Sequence, residues 1–271
     1  MRRRFPAWEW AVIGLCTVFF AAPMLAMARF ALQKVPVALL GRETLFSRWT
    51  FSGFTNTLAD ESFLPALWLS TRLGILTVAA VLVLMVPTVV WLNLTANKWR
   101  PVVEVASTLP YVVPPIALVV GVSALFRDVA PWMVTTDYGM IPLYSMLCLP
   151  FTFRTLDAGA RATDMRTLTD AGRNLGAGPV VILMKVIIPG MRTSITAAAF
   201  LGFAVVMGEY AIASLLLRRT LPAYMVEAQG REPQGSMAVA LALLVLTSLI
   251  FILLNRSDRT SGRRDTIGLP A

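Results

Sequence analysis

Residues 69–94 read LSTRLGILTVAAVLVLMVPTVVWLNL, and Arg72 is the only charged side chain in this run. A helix needs roughly 20 mostly apolar residues to cross the hydrocarbon core of a bilayer, so the run is long enough to span a membrane. The whole chain has 271 residues, of which 57% are hydrophobic and only 14% are charged. An average soluble domain carries about 25% charged residues. We therefore predict an all-α integral membrane protein.

Apolar runs of this kind recur along the chain. We predict six transmembrane helices, at about 8–28, 69–94, 105–126, 140–156, 194–217 and 237–255. The run at 140–156 is the weakest, because Pro142 and Pro150 interrupt it. We expect residues 1–255 to form a single transmembrane domain and the polar residues 256–271 to form a cytoplasmic tail.

Basic residues are distributed unevenly along this predicted topology. Six spans place both termini on one side. With Arg2, Arg3 and Arg4 inside, 15 of the 24 Lys and Arg residues fall on the cytoplasmic side and 8 outside. Cytoplasmic loops carry such an excess, so we predict a multi-pass membrane protein with both termini in the cytoplasm. We expect Arg72 to extend to the membrane surface rather than to bind an anion.

The composition also excludes several functions. The net charge of +9 raises the question of nucleic acid, but the sequence has no helix-turn-helix, zinc-finger or RNA-binding motif, and we expect no nucleic-acid partner. The chain has no His, and Cys16 and Cys148 each lie inside an apolar run, so we expect neither a metal site nor a disulfide. Without His or paired intramembrane carboxylates, we expect no catalytic residues.

The segment between the fourth and fifth spans is the most informative polar stretch. It contains Thr167-Leu168-Thr169-Asp170-Ala171-Gly172-Arg173-Asn174-Leu175-Gly176. Thr167 followed by Asp170 resembles a capping box with Asp in place of Glu, and Gly176 suits the left-handed residue that ends many helices. The apolar residues between them share one face at helical spacing: Leu168, Ala171 and Leu175. We predict a two-turn helix that needs a docking surface, because so short a helix is marginal alone.

A second short helix is predicted to follow in the same loop. Pro179 suits the first position of a helix, and residues 180–188 are apolar except for Lys185. Pro189 interrupts this helix before the fifth span. The loop is therefore predicted to contain a helix, a glycine-rich hinge, a second helix and a proline at the membrane surface.

These residues resemble the cytoplasmic signature of the inner-membrane permeases of binding-protein-dependent ABC importers. That signature is Glu-Ala-Ala, three residues, Gly, nine residues, and then Ile-x-Leu-Pro. Here Asp170-Ala171-Gly172 stands for the triplet, Gly176 follows at the required spacing, and Val186-Ile187-Ile188-Pro189 comes after nine further residues. Gly172 in place of Ala is expected to weaken the helix by about 1 kcal/mol. The resemblance covers roughly residues 65–255.

The resemblance implies a transport subunit of the bacterial cytoplasmic (inner) membrane rather than an enzyme. The helix at 168–175 would be the coupling helix, which docks in a groove of a separate ABC ATPase dimer that binds ATP and Mg. The sequence has no Gly-x-x-x-x-Gly-Lys-Ser/Thr phosphate loop, so we expect no cofactor in this chain. A second permease subunit, expected to be a different chain, and an extracytoplasmic solute-binding protein would complete the importer. The expected ATPase-coupling loop consists of Thr167, Leu168, Asp170, Ala171, Gly172, Leu175, Gly176 and Pro189.

A single acidic residue, Glu209, lies inside the fifth predicted span. A charge at this depth costs roughly 2.5–3.5 kcal/mol on insertion scales, so it should face the protein interior or a water-filled path. On one continuous helix a mostly small face would include Gly202, Val206, Glu209 and Ala213. This face is a candidate translocation path. The structural alternative is a Glu209 that forms hydrogen bonds to neighbouring helices, and both remain open at this point.

The fifth span also suggests a substrate class. Residues 208–216 read GEYAIASLL, which resembles permeases for polyamines, iron(III) and aminoethylphosphonate, so this group is our first expectation. Small oxyanions such as sulfate or molybdate come second, and sugars third. The alternative function is a secondary transporter driven by an ion gradient, which usually has internal repeats and several intramembrane polar groups.

Overall fold

The computed structural model describes the backbone of residues 7–34, 48–94 and 97–264, and the side chains of these residues except 7, 97, 251 and 253–264. The ordered elements in these ranges are helices, and the β pairing there consists of one antiparallel bridge between Gln33 and Trp49. The predicted all-α fold is confirmed. Arg2, Arg3 and Arg4 and the tail residues 265–271 lie outside the described residues.

The described residues form fourteen α-helices. They are α1 (Ala7–Leu32), α2 (Ser52–Ala59), α3 (Phe63–Leu94), α4 (Arg100–Val112), α5 (Pro115–Phe126), α6 (Trp132–Thr135), α7 (Met140–Ala162), α8 (Met165–Asn174), α9 (Pro179–Ile182), α10 (Ile188–Gly190), α11 (Arg192–Met207), α12 (Ala211–Leu215), α13 (Leu221–Gln229) and α14 (Pro233–Arg264). A π-helical turn at Leu183–Ile187 joins α9 to α10.

Fewer than six helices of the described chain meet a length and apolarity criterion for a membrane span. Three meet it alone: Trp8–Leu32, Phe63–Leu94 and Pro233–Ile250. Two bent pairs raise the number to as many as five if each pair is one span: Arg100–Val112 with Pro115–Phe126, bent by 98°, and Pro179–Gly190 with Arg192–Met207, bent by 74°. The remaining predicted run, 140–156, lies in α7, which carries Arg154 and Asp157 near its end.

The third predicted span, 105–126, is not one straight helix. It is broken between α4 and α5, where Val113 has an extended backbone, Pro114 is the N-cap and Pro115 is the first residue of the next helix. The residue before a proline is disfavoured in the helical conformation. A proline at the first helical position loses no hydrogen bond, because a backbone N–H at that position would have no partner within the helix. The two prolines therefore turn the chain by 98° at this point.

The chain divides into two compact units, Met1–Leu64 with Tyr224–Ala271, and Pro65–Ala223. In the first unit, α1 and α2 each pack against α14. In this unit α14 continues to Arg264, past the predicted end of the sixth span at residue 255, because no Pro or Gly lies between residue 255 and Gly262. The prediction of a single transmembrane domain over residues 1–255 stays a prediction.

In the second unit, α7 is the central helix and packs against α4 and α11. Its buried residues include Met140, Tyr144, Cys148 and Leu156. The two prolines do not interrupt it, contrary to the prediction: α7 runs unbroken through Pro150, and Pro142 lies in its first turn, where a backbone N–H has no intrahelical partner. Because other helices surround α7, it needs less apolar surface than a lipid-facing span.

Candidate coupling loop and charged clusters

The helix α8 begins earlier than the sequence predicts. Asp164 is its N-cap, and the Asp164 carboxylate accepts the backbone N–H of Thr167 at 3.3 Å. Thr167 therefore lies inside the first turn and does not cap the helix. Asp170 is exposed, and its carboxylate lies 3.9 Å from the guanidinium of Arg173. The predicted capping box of Thr167 and Asp170 is thus wrong, because Asp164, a preferred N-cap residue, starts the helix three residues earlier.

The end of α8 has the conformation predicted from Gly176. Gly176 has a φ of +79°, and its N–H donates to the carbonyl of Arg173 at 2.9 Å. The N–H of Ala177 donates to the carbonyl of Gly172 at 3.0 Å. These two hydrogen bonds form a Schellman motif, in which a left-handed residue satisfies the last carbonyls of a helix. No other residue type adopts this φ as easily as glycine.

The helix α8 has one buried face and one exposed apolar face. Met165 and Thr169 are buried, and a Cβ added at Gly172 would lie 3.0 Å from Cγ1 of Ile182. This close approach accounts for glycine at that position of the motif. The predicted apolar stripe lies on the neighbouring, exposed face and consists of Leu168, Ala171 and Leu175. Leu175 is 87% exposed.

The second half of the loop follows the prediction in outline. Pro179 is the first residue of α9, and Gly178 is its N-cap. Ile182 and Ile187 are buried in the hydrophobic core of the second unit. The helix is not ended by Pro189. Instead, the chain passes through the π-helical turn and α10, which contains an exposed Pro189, and then bends by 74° into α11.

A charged cluster around a buried aspartate lies just before the loop, and we call it the Asp157 cluster. It consists of Asp157 and Arg161 on α7, Arg100 on α4 and Asn93 on α3. Arg100 Nη1 lies 2.6 and 2.8 Å from the two carboxylate oxygens of Asp157, and Arg161 Nε donates to Asp157 Oδ2 at 2.9 Å. Asn93 Nδ2 donates to Asp157 Oδ1 at 3.1 Å. The carboxylate thus connects three helices.

A second charged cluster, the Asp137 cluster, has a similar composition. Its acidic residue lies between Arg72 on α3 and Arg218, which follows α12: Asp137 oxygens lie 3.6 Å from Arg72 Nη2 and 3.4 Å from Arg218 Nη1. The guanidinium of Arg72 also lies 4.9 Å from the ring centre of Tyr138, and Arg218 donates to the carbonyl of Thr135. Arg72 is therefore held by protein groups, and its extension to the membrane surface stays a prediction.

The fifth predicted span ends before Glu209. α11 ends at Met207, and α12 begins at Ala211, so Glu209 lies in the break between them. Its carboxylate oxygens accept the backbone N–H of Ile212 at 3.0 and 3.2 Å. One continuous helix over 194–217 is therefore wrong, because the Glu209 side chain caps a new helix. This geometry favours the structural alternative for Glu209.

The other residues of the candidate translocation path are packed inside the second unit. Gly202, Val206 and Ala213 are buried, whereas Glu209 is half-buried. A Cβ added at Gly202 would lie 3.4 Å from Cγ2 of Val78, which is ordinary van der Waals contact. The break at 208–210 means that the four residues do not share one helix face. Their assignment to a translocation path stays a prediction.

Sequence reasoning missed the Asp157 cluster. The pairing of Asp157 with Arg161, four residues later on one helix, is visible as a local pattern. The contacts with Arg100 and Asn93 join residues 57 and 64 positions apart, and no local periodicity reports such a pairing.

Comparison with known proteins gives two relatives by sequence, and no family model matches. The chain is 26% identical over 168 residues to the molybdenum transport system permease protein ModB of Azotobacter vinelandii, which covers 58% of this chain and 74% of that protein. It is 30% identical over 146 residues to a probable molybdenum ABC transporter permease protein of Haloferax volcanii, which covers 51% of this chain and 54% of that protein.

Among solved structures, the fold matches a chain of a bacterial ABC transporter involved in the import of the acidic polysaccharide alginate. The TM-score is 0.70 over 92% of this chain and 94% of that chain, at 16% sequence identity. A match at such low identity establishes the fold alone.

These comparisons correct one prediction and support another. Neither relative belongs to the polyamine, iron(III) and aminoethylphosphonate group, so the resemblance of residues 208–216 to that group is not supported. The apolar helices and the relatives indicate a multi-pass inner-membrane protein. The fold and both relatives together support an ABC importer permease, a transport subunit rather than an enzyme.

Proposed function

We propose that this chain forms half of the translocation path of an ABC importer for a small oxyanion and couples to a separate ATPase through α8. The ATPase dimer would bind ATP and Mg. A second permease subunit would complete the path, and an extracytoplasmic solute-binding protein would deliver the solute. Both termini would lie in the cytoplasm, on the same side as α8.

The exposed apolar stripe on α8 is the observation that carries the coupling proposal. The helix is anchored from within by Met165 and Thr169, so its position is fixed by the chain's own core. Leu168 and Leu175 remain exposed beside this anchor. Full burial of a leucine side chain is worth about 1.5–3 kcal/mol, so a groove that covers both would bind the helix firmly. An anchored helix with an uncovered apolar face suits transmission of force from a partner.

The substrate class rests on the relatives. Both are named as molybdenum permeases, which moves small oxyanions such as molybdate from the second expectation to the first. An excess of arginine over aspartate in the Asp137 cluster is compatible with an anionic solute. The expectation that the second permease is a different chain rested on the polyamine resemblance, so it loses its basis. The subunit masses of the purified complex show whether the two permease subunits are identical or different. The alternative of an ion-gradient-driven transporter is not favoured by these relatives.

The proposed function is tested on the complex purified in lipid through this chain. ATP hydrolysis is measured with the cognate binding protein loaded in turn with molybdate, sulfate or a polyamine. We expect an ATPase to copurify and molybdate or sulfate to stimulate it. Copurification without stimulation by either oxyanion would refute the substrate class, and the absence of any ATPase would refute the importer.

Matched variants of α8 test the coupling stripe itself. Leu175→Ala removes an exposed apolar side chain from the stripe, and Arg166→Ala removes an exposed side chain from the other side of the same helix. We expect Leu175→Ala to weaken copurification of the ATPase, because the variant loses part of the about 1.5–3 kcal/mol that burial of a leucine side chain contributes. Arg166→Ala should retain it. Equal retention of the ATPase by both variants would contradict the stripe.

A further inference from the structure

The Asp157 cluster lies next to the coupling loop in the chain. α7 ends at Ala162 and α8 begins at Met165, so Thr163 and Asp164 alone separate the two helices. Thr163 N–H donates to the carbonyl of Gly159 at 3.1 Å, and Met165 N–H donates to that of Thr163 at 2.7 Å. These hydrogen bonds restrict the movement of α8 relative to the end of α7. A displacement of α8 therefore moves the end of α7.

The carboxylate of Asp157 lies close to that end. Asp157 precedes Ala162 by five residues, which is about 7.5 Å along a helix. Its side chain is 9% exposed, and its partners on neighbouring helices are Arg100 and Asn93. Asn93 Oδ1 also accepts from Arg100 Nη2 at 3.1 Å, so the two partners are joined to each other. Movement of Asp157 must carry α3 and α4 with it or break these bonds.

The two arginines of the cluster have different roles. The Arg161 side chain is 60% exposed and lies on α7, the same helix as Asp157. Its bond neutralises the carboxylate and connects no second helix. The Arg100 side chain is 17% exposed and reaches from α4 to α7. α4 in turn leads into the 98° bend before α5.

We propose that Asp157, through its bonds to Arg100 and Asn93, is a positioning residue that passes the movement of α8 to the membrane helices α3 and α4. This inference rests on the proposed function, in which an ATPase moves α8. The bonds are short, partly buried and shared among three helices, so they act as a fixed joint rather than as a surface ion pair. When the joint is lost, ATP hydrolysis continues but drives less transport.

Arg100→Gln and Arg161→Gln form a matched pair for the test. Both remove one guanidinium from the same carboxylate, but Arg100→Gln alone removes a link between helices. The full importer is reconstituted in lipid vesicles with its loaded binding protein, and the ATP hydrolysed per oxyanion transported is measured. We expect this ratio to rise about tenfold in Arg100→Gln, a typical size for coupling between sites, and to change less than about twofold in Arg161→Gln.

Asn93→Ala provides a second link-breaking variant with no change of charge. We expect it to raise the same ratio by a smaller factor than Arg100→Gln, and we expect Arg100→Lys, which keeps a donor, to restore part of the coupling. A purely structural role would lower the amount of assembled complex without changing the ratio. If the Arg100→Gln complex does not assemble, the ATP hydrolysed per oxyanion transported is measured for Asn93→Ala and Arg100→Lys instead.

Two results would overturn the inference. One is an unchanged ratio in Arg100→Gln and Asn93→Ala. The other is an equal rise in Arg100→Gln and Arg161→Gln, which would mean that charge neutralisation alone matters. The wild-type complex separates these failures from failure of the proposed function: if its ATPase responds to the loaded binding protein, the importer stands and only the joint is refuted.

Discussion

The Asp157 and Asp137 clusters are built from the same parts but lie at opposite ends of α3. Each has one aspartate between two arginines, Arg100 and Arg161 in one and Arg72 and Arg218 in the other. α3 contributes Arg72 in its first third and Asn93 near its end. These positions are 21 residues apart, or about 32 Å along a helix, close to the roughly 30 Å of a bilayer's hydrocarbon core.

The geometry of the two clusters differs. Bonds to Asp157 are 2.6–3.1 Å long, whereas the arginine atoms nearest to Asp137 lie at 3.4 and 3.6 Å. The Asp157 side chain is 9% exposed and that of Asp137 is 33% exposed. Among the described residues, Nε of Arg72 and Nε of Arg218 have no hydrogen-bond partner. The same residue types thus make a fixed joint at one end and a loose contact at the other.

The largest effect is expected from Asp157→Ala. The variant leaves Arg100 without its carboxylate in a mostly buried position, and breaking a buried pair in this way costs about 3–5 kcal/mol. We expect a large loss of thermal stability of the purified complex, measured by unfolding in detergent. A loss no greater than that of Asp137→Ala would contradict the difference between the two clusters.

Gly176→Val is expected to have the next largest effect on stability. The positive φ of Gly176 costs a side-chain-bearing residue roughly 1–2 kcal/mol, and a β-branched side chain is especially unsuited to it. We expect α8 to lose its end and transport by the reconstituted complex to be abolished. Gly178→Val is the matched control, since Gly178 has a φ of −71° and open space around it. Normal uptake by Gly176→Val would refute the role of this loop.

Glu209→Gln is expected to have a modest effect, because an amide oxygen still accepts the N–H of Ile212. Replacement of a charged acceptor by a neutral one costs about 1 kcal/mol. If Glu209 only caps α12, the KM for the loaded binding protein and the rate of oxyanion uptake stay unchanged. A changed uptake rate with unchanged thermal stability would instead place the carboxylate in contact with the solute.

Asp137→Ala is expected to have the smallest effect. Partly exposed ion pairs contribute about 0–1 kcal/mol, and the Asp137 contacts are long. We expect thermal unfolding of this variant to differ little from wild type at high salt, where such pairs are screened. A loss as large as that of Asp157→Ala would show that the two clusters are energetically alike.

The sequence predicted the parts of the fold that depend on local patterns. Long apolar runs predicted α1, α3 and α14, and the position of Gly176 after an apolar stripe predicted the end of α8. The start of α8 was missed because Asp164 and Thr167 are both good N-cap residues, and local sequence does not choose between them. The break at Glu209 was missed because one Gly-Glu pair inside an apolar run does not by itself show that the glutamate side chain will cap a new helix there.

Features that depend on distant residues could not be predicted in this way. The central position of α7 follows from its packing against α4 and α11, whereas its composition alone made it the weakest span. The bonds from Arg100 and Asn93 to Asp157 cross more than 50 positions of the chain. The substrate group inferred from residues 208–216 is likewise not supported, because both relatives are named as molybdenum permeases.

Cross-linking from α8 to the ATPase tests the proposed coupling most directly. With the exposed Cys16 replaced by Ser and the buried Cys148 left in place, one new cysteine is introduced at Leu175 on the exposed stripe or at Arg166 on the other side of the helix. The lipid-embedded complex is then treated with a short thiol cross-linker, and the Cys16→Ser chain without a new cysteine is the background control. We expect Leu175→Cys to give a cross-link to a cysteine in the groove of the ATPase, and Arg166→Cys to give little. Equal cross-linking from both positions, or none from Leu175→Cys in a complex that retains its ATPase, would contradict coupling through α8.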